Sequence, residues 1–220
     1  YTSTRELSDL DYAPDLMYVA DLYGAVDDTY GYYEGTDAQG KGMTADDMTV
    51  VSYAHESGAV VVAEMELFNS GLTDSIYSQM QSLCGVKPTT WVGRYIFELQ
   101  DFTDVPDWAP PMYEQQEGVE WQFSGPGILL VSSAGKIIIL EQKTDFESKN
   151  LLQIYVNKEY KEEFGSCRKC NFYNWFELVE ADYNTEVLAT FEFDVNATGM
   201  EKLKEVTKTP RFVAVTRKTY

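Results

Sequence analysis

The chain has 220 residues, 44% of them hydrophobic and 24% charged, enough to bury a sizeable core and too apolar for wholesale disorder. With 36 acidic against 17 basic residues its formal charge is −19, which argues against nucleic-acid backbones as partners. A single His excludes a two-His metal site within one chain, and no apolar run reaches the length of a membrane span.

The charge is uneven along the chain. Residues 1–110 hold 19 acidic and 4 basic groups, and the remainder holds 17 and 13. The chain begins at Tyr1, which reads as a mature form or an excised fragment, with a leader or anchor removed. Residues 1–14 read as a polar lead-in. Leu16 to Ala20 is a short apolar run typical of a buried strand, and residues 24–43 form a Gly- and Asp-rich loop. Thr44 with Asp46 and Asp47 suits a helix start, and that helix is expected to stop at Ser57-Gly58. Val60 to Glu66 reads as a strand buried on both faces. A helix capped by Thr73 follows, with Ile76, Met80 and Leu83 at helical spacing.

Trp91 to Leu99 suits strand or helix, and Pro111 is placed to open a short helix. Ile128–Ser132 and Lys136–Glu141 flank Ser133-Ala134-Gly135 as a hairpin, and Leu151–Val156 is a further strand. Glu186–Val195 alternates as a strand. Thr198 with Glu201 reads as a capping box for a helix before a last strand, Arg211–Thr216. Strand–helix–strand at both ends predicts an α/β fold. It would be one domain over 1–220 with a mostly parallel sheet and helices on both faces, plus a central antiparallel hairpin extension. Residues 100–180 would form an insertion or subdomain.

In open α/β sheets, ligands sit beyond the carboxyl ends of the strands. That rule selects Asp21 and Tyr23 after the first strand, and Glu64, Glu66 and Asn69 after the second. Arg94, isolated among acids, either neutralises local carboxylates or anchors an anionic ligand group. The acidic loop 27–37 is a weaker candidate for a cation. Cys167 and Cys170, in C-R-K-C, are expected to close a turn as a disulfide if the compartment is oxidising. The third cysteine, Cys84, with His55 completes the number for a Cys₃His zinc site but not its spacing, so no metal is expected. Asn196-Ala197-Thr198 matches a glycosylation sequon at a predicted helix cap, which supplies a local reason for the Asn.

The segments 15–24 (DLMYVADLYG), 61–69 (VVAEMELFN), 91–95 (WVGRY), 123–131 (FSGPGILLV) and 174–180 (NWFELVE) resemble a poorly characterised family of bacterial cell-envelope proteins. The α/β domain of that family looks like the class I glutamine amidotransferase-like, flavodoxin-type fold. The chemistry of that class needs a Cys on a strand-to-helix elbow activated by His. Cys84 and His55 each close a predicted helix, so the resemblance implies the fold without the reaction. The expectation is an extracytoplasmic, non-catalytic domain without a cofactor. It would bind a small ligand, a glycan or an envelope protein at the rim of Asp21, Tyr23, Glu64, Glu66, Asn69 and Arg94. The alternative is a carbohydrate-active hydrolase using a carboxylate pair.

Overall fold

The computed structural model describes residues 12–20, 43–64 and 74–220. The chain divides into two compact units, residues 1–84 and 85–220. In the first, β1 (Leu16–Val19) is followed by α1 (Ala45–Glu56), β2 (Val60–Ala63) and α2 (Asp74–Cys84). α1 starts where Thr44, Asp46 and Asp47 suggest, and its start is closed by a capping box. The Thr44 hydroxyl accepts from the Asp47 N–H at 3.1 Å, and the Asp47 carboxylate accepts from the Thr44 N–H at 2.8 Å.

β1 and β2 pair in parallel, with Leu16 opposite Val60 and Val19 opposite Ala63. The expected burial of both faces is not found. Leu16, Tyr18, Val60 and Val62 are exposed, so one face of this short ribbon is open. In α2, Ile76 and Met80 are buried at the expected spacing.

The second unit overturns the parallel α/β expectation. It begins with β3 (Val86–Ile96), α3 (Ala109–Glu117), β4 (Gly127–Ser132), β5 (Ile137–Glu141), the single turn α4 (Gln142–Asp145) and β6 (Leu152–Val156). A 3-10 turn (Lys158–Tyr160), β7 (Lys169–Asn171), β8 (Trp175–Ala181), β9 (Glu186–Phe193), α5 (Ala197–Leu203) and β10 (Arg211–Arg217) complete it. These strands form two four-stranded sheets, β5-β4-β3-β8 and β10-β9-β6-β7, in which every pairing is antiparallel. The flavodoxin-type architecture is therefore not the fold of this unit.

The misreading has a geometric cause. β9, α5 and β10 look like a crossover, but α5 has 7 residues and spans only about 10 Å. It cannot carry the chain back along the length of the 8-residue β9, so β10 returns beside β9 in the opposite sense. The cap of α5 also differs. Asn196, not Thr198, accepts from the N–H groups of Thr198 (2.9 Å) and Gly199 (3.0 Å), and its Nδ2 donates to the Thr144 carbonyl. The sequon asparagine is thus consumed as a cap.

One core joins the two sheets. Trp91, Tyr95, Ile128, Leu130, Leu140 and Phe176 from the first pack with Leu152, Phe191, Phe193 and Phe212 from the second. Alternation along each strand then turns the opposite residues of the second sheet outward. The free edge of β5 is covered by side chains. Gln116 both donates to the Ile137 carbonyl (2.9 Å) and accepts from its N–H (2.8 Å), and Lys202 donates to the Ile139 carbonyl (3.1 Å). An amide that satisfies both backbone groups of one residue stands in for a neighbouring strand and blocks edge pairing.

Candidate functional site

Four of the residues chosen from the sequence, Asp21, Tyr23, Glu66 and Asn69, lie outside the described residues, as does the acidic loop 27–37. Glu64 closes β2. Its N–H donates to the Val19 carbonyl at 3.1 Å and its carboxylate accepts from the Tyr18 hydroxyl, so it is tied to β1. Arg94 belongs to the second unit. It pairs with Asp104 at 3.2 Å and lies over the Trp175 ring at 5.5 Å. The other oxygen of Asp104 accepts from the Phe97 N–H at 2.6 Å. Arg94 thus neutralises a carboxylate that pins the chain after β3.

Cys167 and Cys170 are exposed, and all three cysteines carry free thiols, so the disulfide expected between Cys167 and Cys170 is not formed here. Cys170 stands opposite Ile154 in the β6–β7 ladder, and burial, then its neighbour Cys167, pushes its thiol pKa up. Among the described residues no group of His, Cys, Asp and Glu is placed to hold a metal ion. No described helix is long and apolar enough to cross a membrane.

The organised polar surface lies elsewhere, on the outer face of β10-β9-β6-β7. Register fixes two rows across this sheet. One is Lys169, Tyr155, Thr190 and Val213, and the other is Asn171, Gln153, Glu192 and Arg211. The side chains are cross-linked. The Tyr155 hydroxyl donates to Gln153 Oε1 (2.8 Å), Gln153 Nε2 donates to Asn171 Oδ1 (2.7 Å), and Asn171 Nδ2 donates to the Tyr173 hydroxyl (2.7 Å). At the far end Arg211 pairs with Glu192 at 3.2 Å. A hydrogen-bonded chain of planar groups holds each member in one orientation.

Tyr173 leads this chain to an aromatic patch. Its ring lies 5.5 Å from Phe97, and both pack edge-on to buried Tyr95 at 4.9 Å. Phe97 is 56% exposed and Tyr173 48%, so two half-exposed rings lie beside the polar rows. Burial first, then Tyr173 and the Asp104 charge, push the Tyr95 hydroxyl pKa up, which keeps it neutral.

A groove of about 970 Å³ runs over this face, lined among others by Tyr155, Tyr160, Lys169, Glu192 and Arg211. Its wall is the segment after β6. The Asn157 N–H donates to the Leu188 carbonyl (2.8 Å) and the Tyr160 hydroxyl to Glu186 (3.1 Å). Arg217 bridges Glu186 (2.7 Å) and Glu163 (2.6 Å) and lies over the Tyr160 ring.

Hydrogen bonding from Arg217, then from Tyr160, holds the Glu186 pKa below the ordinary glutamate range. A depressed carboxylate pKa contributes stability that is fully present above the unfolded value and lost as pH falls through the folded value. Protection of residues 157–163 against hydrogen exchange, measured relative to the intrinsic rate at each pH, is therefore expected to stay constant from neutral pH down to roughly pH 5 and to fall only below it. In Glu186→Gln that acid-dependent step should be absent.

A smaller cleft of about 230 Å³ lies between α3, β5 and α5. Its polar groups already serve the fold: Gln116 and Lys202 cover β5, and Lys136 pairs with Glu205. The larger groove takes Tyr155, Lys169, Glu192 and Arg211 from the two polar rows, with buried Gln153 bracing Tyr155 beside it, and it is the candidate site. Comparison of the chain with protein families, with curated proteins and with solved structures found no match.

Proposed function

We propose that the chain is a non-catalytic binding protein that holds a polyhydroxylated ligand, a glycan, on the outer face of β10-β9-β6-β7. The observation that carries this reading is the cross-linked run from Tyr173 through Asn171 and Gln153 to Tyr155, with the half-exposed rings of Tyr173 and Phe97 at its end. A pyranose has an apolar C–H face and a rim of hydroxyls. Exposed Tyr and Phe rings match the face, while amides, which both donate and accept, and carboxylates, which accept, match the rim. Side chains fixed before binding lose little entropy when the ligand arrives. The groove volume lies within the usual range for small-ligand sites.

The test is affinity electrophoresis against a panel of plant, bacterial and animal polysaccharides, with reducing-end release followed in parallel. Retardation by at least one polysaccharide without release of sugar is expected. Tyr173→Ala should weaken it roughly tenfold, because the ring face is lost while the exposed site leaves the core intact. Retardation that is identical in wild type and Tyr173→Ala, or absent throughout the panel, contradicts the reading.

A further inference from the structure

We infer that this groove selects glycans that bear anionic groups, a refinement that rests on the binding reading above. The starting observation is a local inversion of charge. In a chain of net charge −19, five of the 17 basic residues, Lys158, Lys161, Arg168, Lys169 and Arg211, line one groove. Three acids line it with them, and two are already neutralised. Glu192 pairs with Arg211, and Glu186 pairs with Arg217. Glu159 is the third.

Arg211 is spent on Glu192, but the other four cations are not neutralised in the same way. Among the described residues Lys158, Lys161 and Lys169 make no ion pair. Arg168 spends its hydrogen bonds on the carbonyls of Lys161 (2.6 Å), Gly165 and Cys167 (3.1 Å), which fix the guanidinium without cancelling its charge. Lys169 is held over the Tyr155 ring at 5.8 Å, on the row that bears the polar side chains.

The groove is thus a positive concavity on a negative protein. Such a field attracts anions from a distance that the rest of the surface repels. It also places the Lys169 ammonium against the Tyr155 ring, at one end of the Tyr155–Gln153–Asn171 chain. A uronate carboxylate or a sulfate ester on a sugar ring supplies the complementary charge, while the ring itself uses the aromatic and amide groups.

The experiment compares polygalacturonate, dextran sulfate, unsubstituted dextran and poly-L-glutamate as probes, at low and physiological salt. Wild type is set against Lys158→Ala/Lys161→Ala/Lys169→Ala. All three lysines are at the surface, and unchanged melting of the triple variant confirms its fold. At least one acidic polysaccharide is expected to bind roughly tenfold more tightly than dextran at low salt and to lose most of that margin as salt screens it. The triple variant should bind it no better than dextran. Preference for polygalacturonate over dextran sulfate identifies the anion as carboxylate, and the reverse identifies it as sulfate. Either outcome supports the inference.

Equal affinity for dextran and the acidic polymers overturns the charge selection and leaves the glycan reading standing. Poly-L-glutamate binding as tightly as the acidic glycans shows a general polyanion surface and overturns the inference. A triple variant that keeps the wild-type preference places the selection elsewhere and also overturns it. No binding to any polysaccharide removes both readings.

Discussion

Gly93→Ala is expected to destabilise the second unit by about 3 kcal/mol, at the upper end of what overpacking a core costs. Gly93 faces Phe176 on β8 and Leu130 on β4 in register. A Cβ there would lie 2.1 Å from the Phe176 ring tip, 2.5 Å from the adjacent ring carbon and 2.8 Å from a Leu130 methyl. The Phe176 ring cannot retreat, because it is fully buried and bounded by Phe191 at 5.4 Å and Phe193 at 5.9 Å. The glycine is required for close approach, not for a special backbone angle. Chemical denaturation of Gly93→Ala should show a lower midpoint. Adding Phe176→Leu to it should cost less than Phe176→Leu does alone, since the smaller side chain vacates the space that the new methyl needs. Strict additivity of the two changes contradicts this account of the core.

Asp145→Ala is expected to cost about 2–4 kcal/mol. The Asp145 side chain is completely buried, and one carboxylate oxygen accepts from both the Glu141 N–H and the Lys202 ammonium, each at 2.7 Å. The Asp145 carbonyl accepts from the Asn196 N–H at 2.9 Å, so this turn ties β5 to the cap of α5. Alanine would strand the buried Glu141 N–H and leave Lys202 without its carboxylate. Lys202 is about one-third exposed and can turn to water, which keeps the loss below that of a fully enclosed pair. Against a total stability of roughly 5–15 kcal/mol, such a loss shows directly in the melting temperature. Asp145→Asn retains an acceptor for the Glu141 N–H and should recover part of it. Equal melting of wild type and Asp145→Ala would contradict the role assigned to this residue.

Local signals were legible. The Thr44 cap, the β4–β5 hairpin about Gly135, and the strands near residues 151–156, 186–195 and 211–216 all follow from patterns within a few residues. Pairing partners were not. Gly93 is a core position only because Phe176, 83 residues later, lies across from it, and no window along the sequence brings the two together. The choice of parallel sheets failed for the same reason. An apolar run before a capped helix looks alike in a crossover and in an antiparallel return, and only the length of α5 separates them.

The strand-end rule of an α/β fold points to Asp21, Tyr23, Glu64, Glu66 and Asn69, and isolation among acids points to Arg94. The signal for the proposed face is present in the sequence but faint. Gln153 and Tyr155 alternate with Leu152, Ile154 and Val156, and Thr190 and Glu192 alternate with Ala189, Phe191 and Phe193. A strand whose outward residues are hydrogen-bonding side chains marks a polar face. It does not by itself show that a neighbouring strand lines up Asn171 and Lys169 beside it.

The most direct measurement is amide shift mapping of the isotopically labelled chain during titration with oligogalacturonate. Progressive shifts concentrated on residues 153–161, 168–173, 190–192 and 211 are the result expected from a glycan lying along the outer face of β10-β9-β6-β7. Shifts confined to the cleft beside α3 and β5, or to residues 12–64, would contradict the placement of the ligand surface on this sheet.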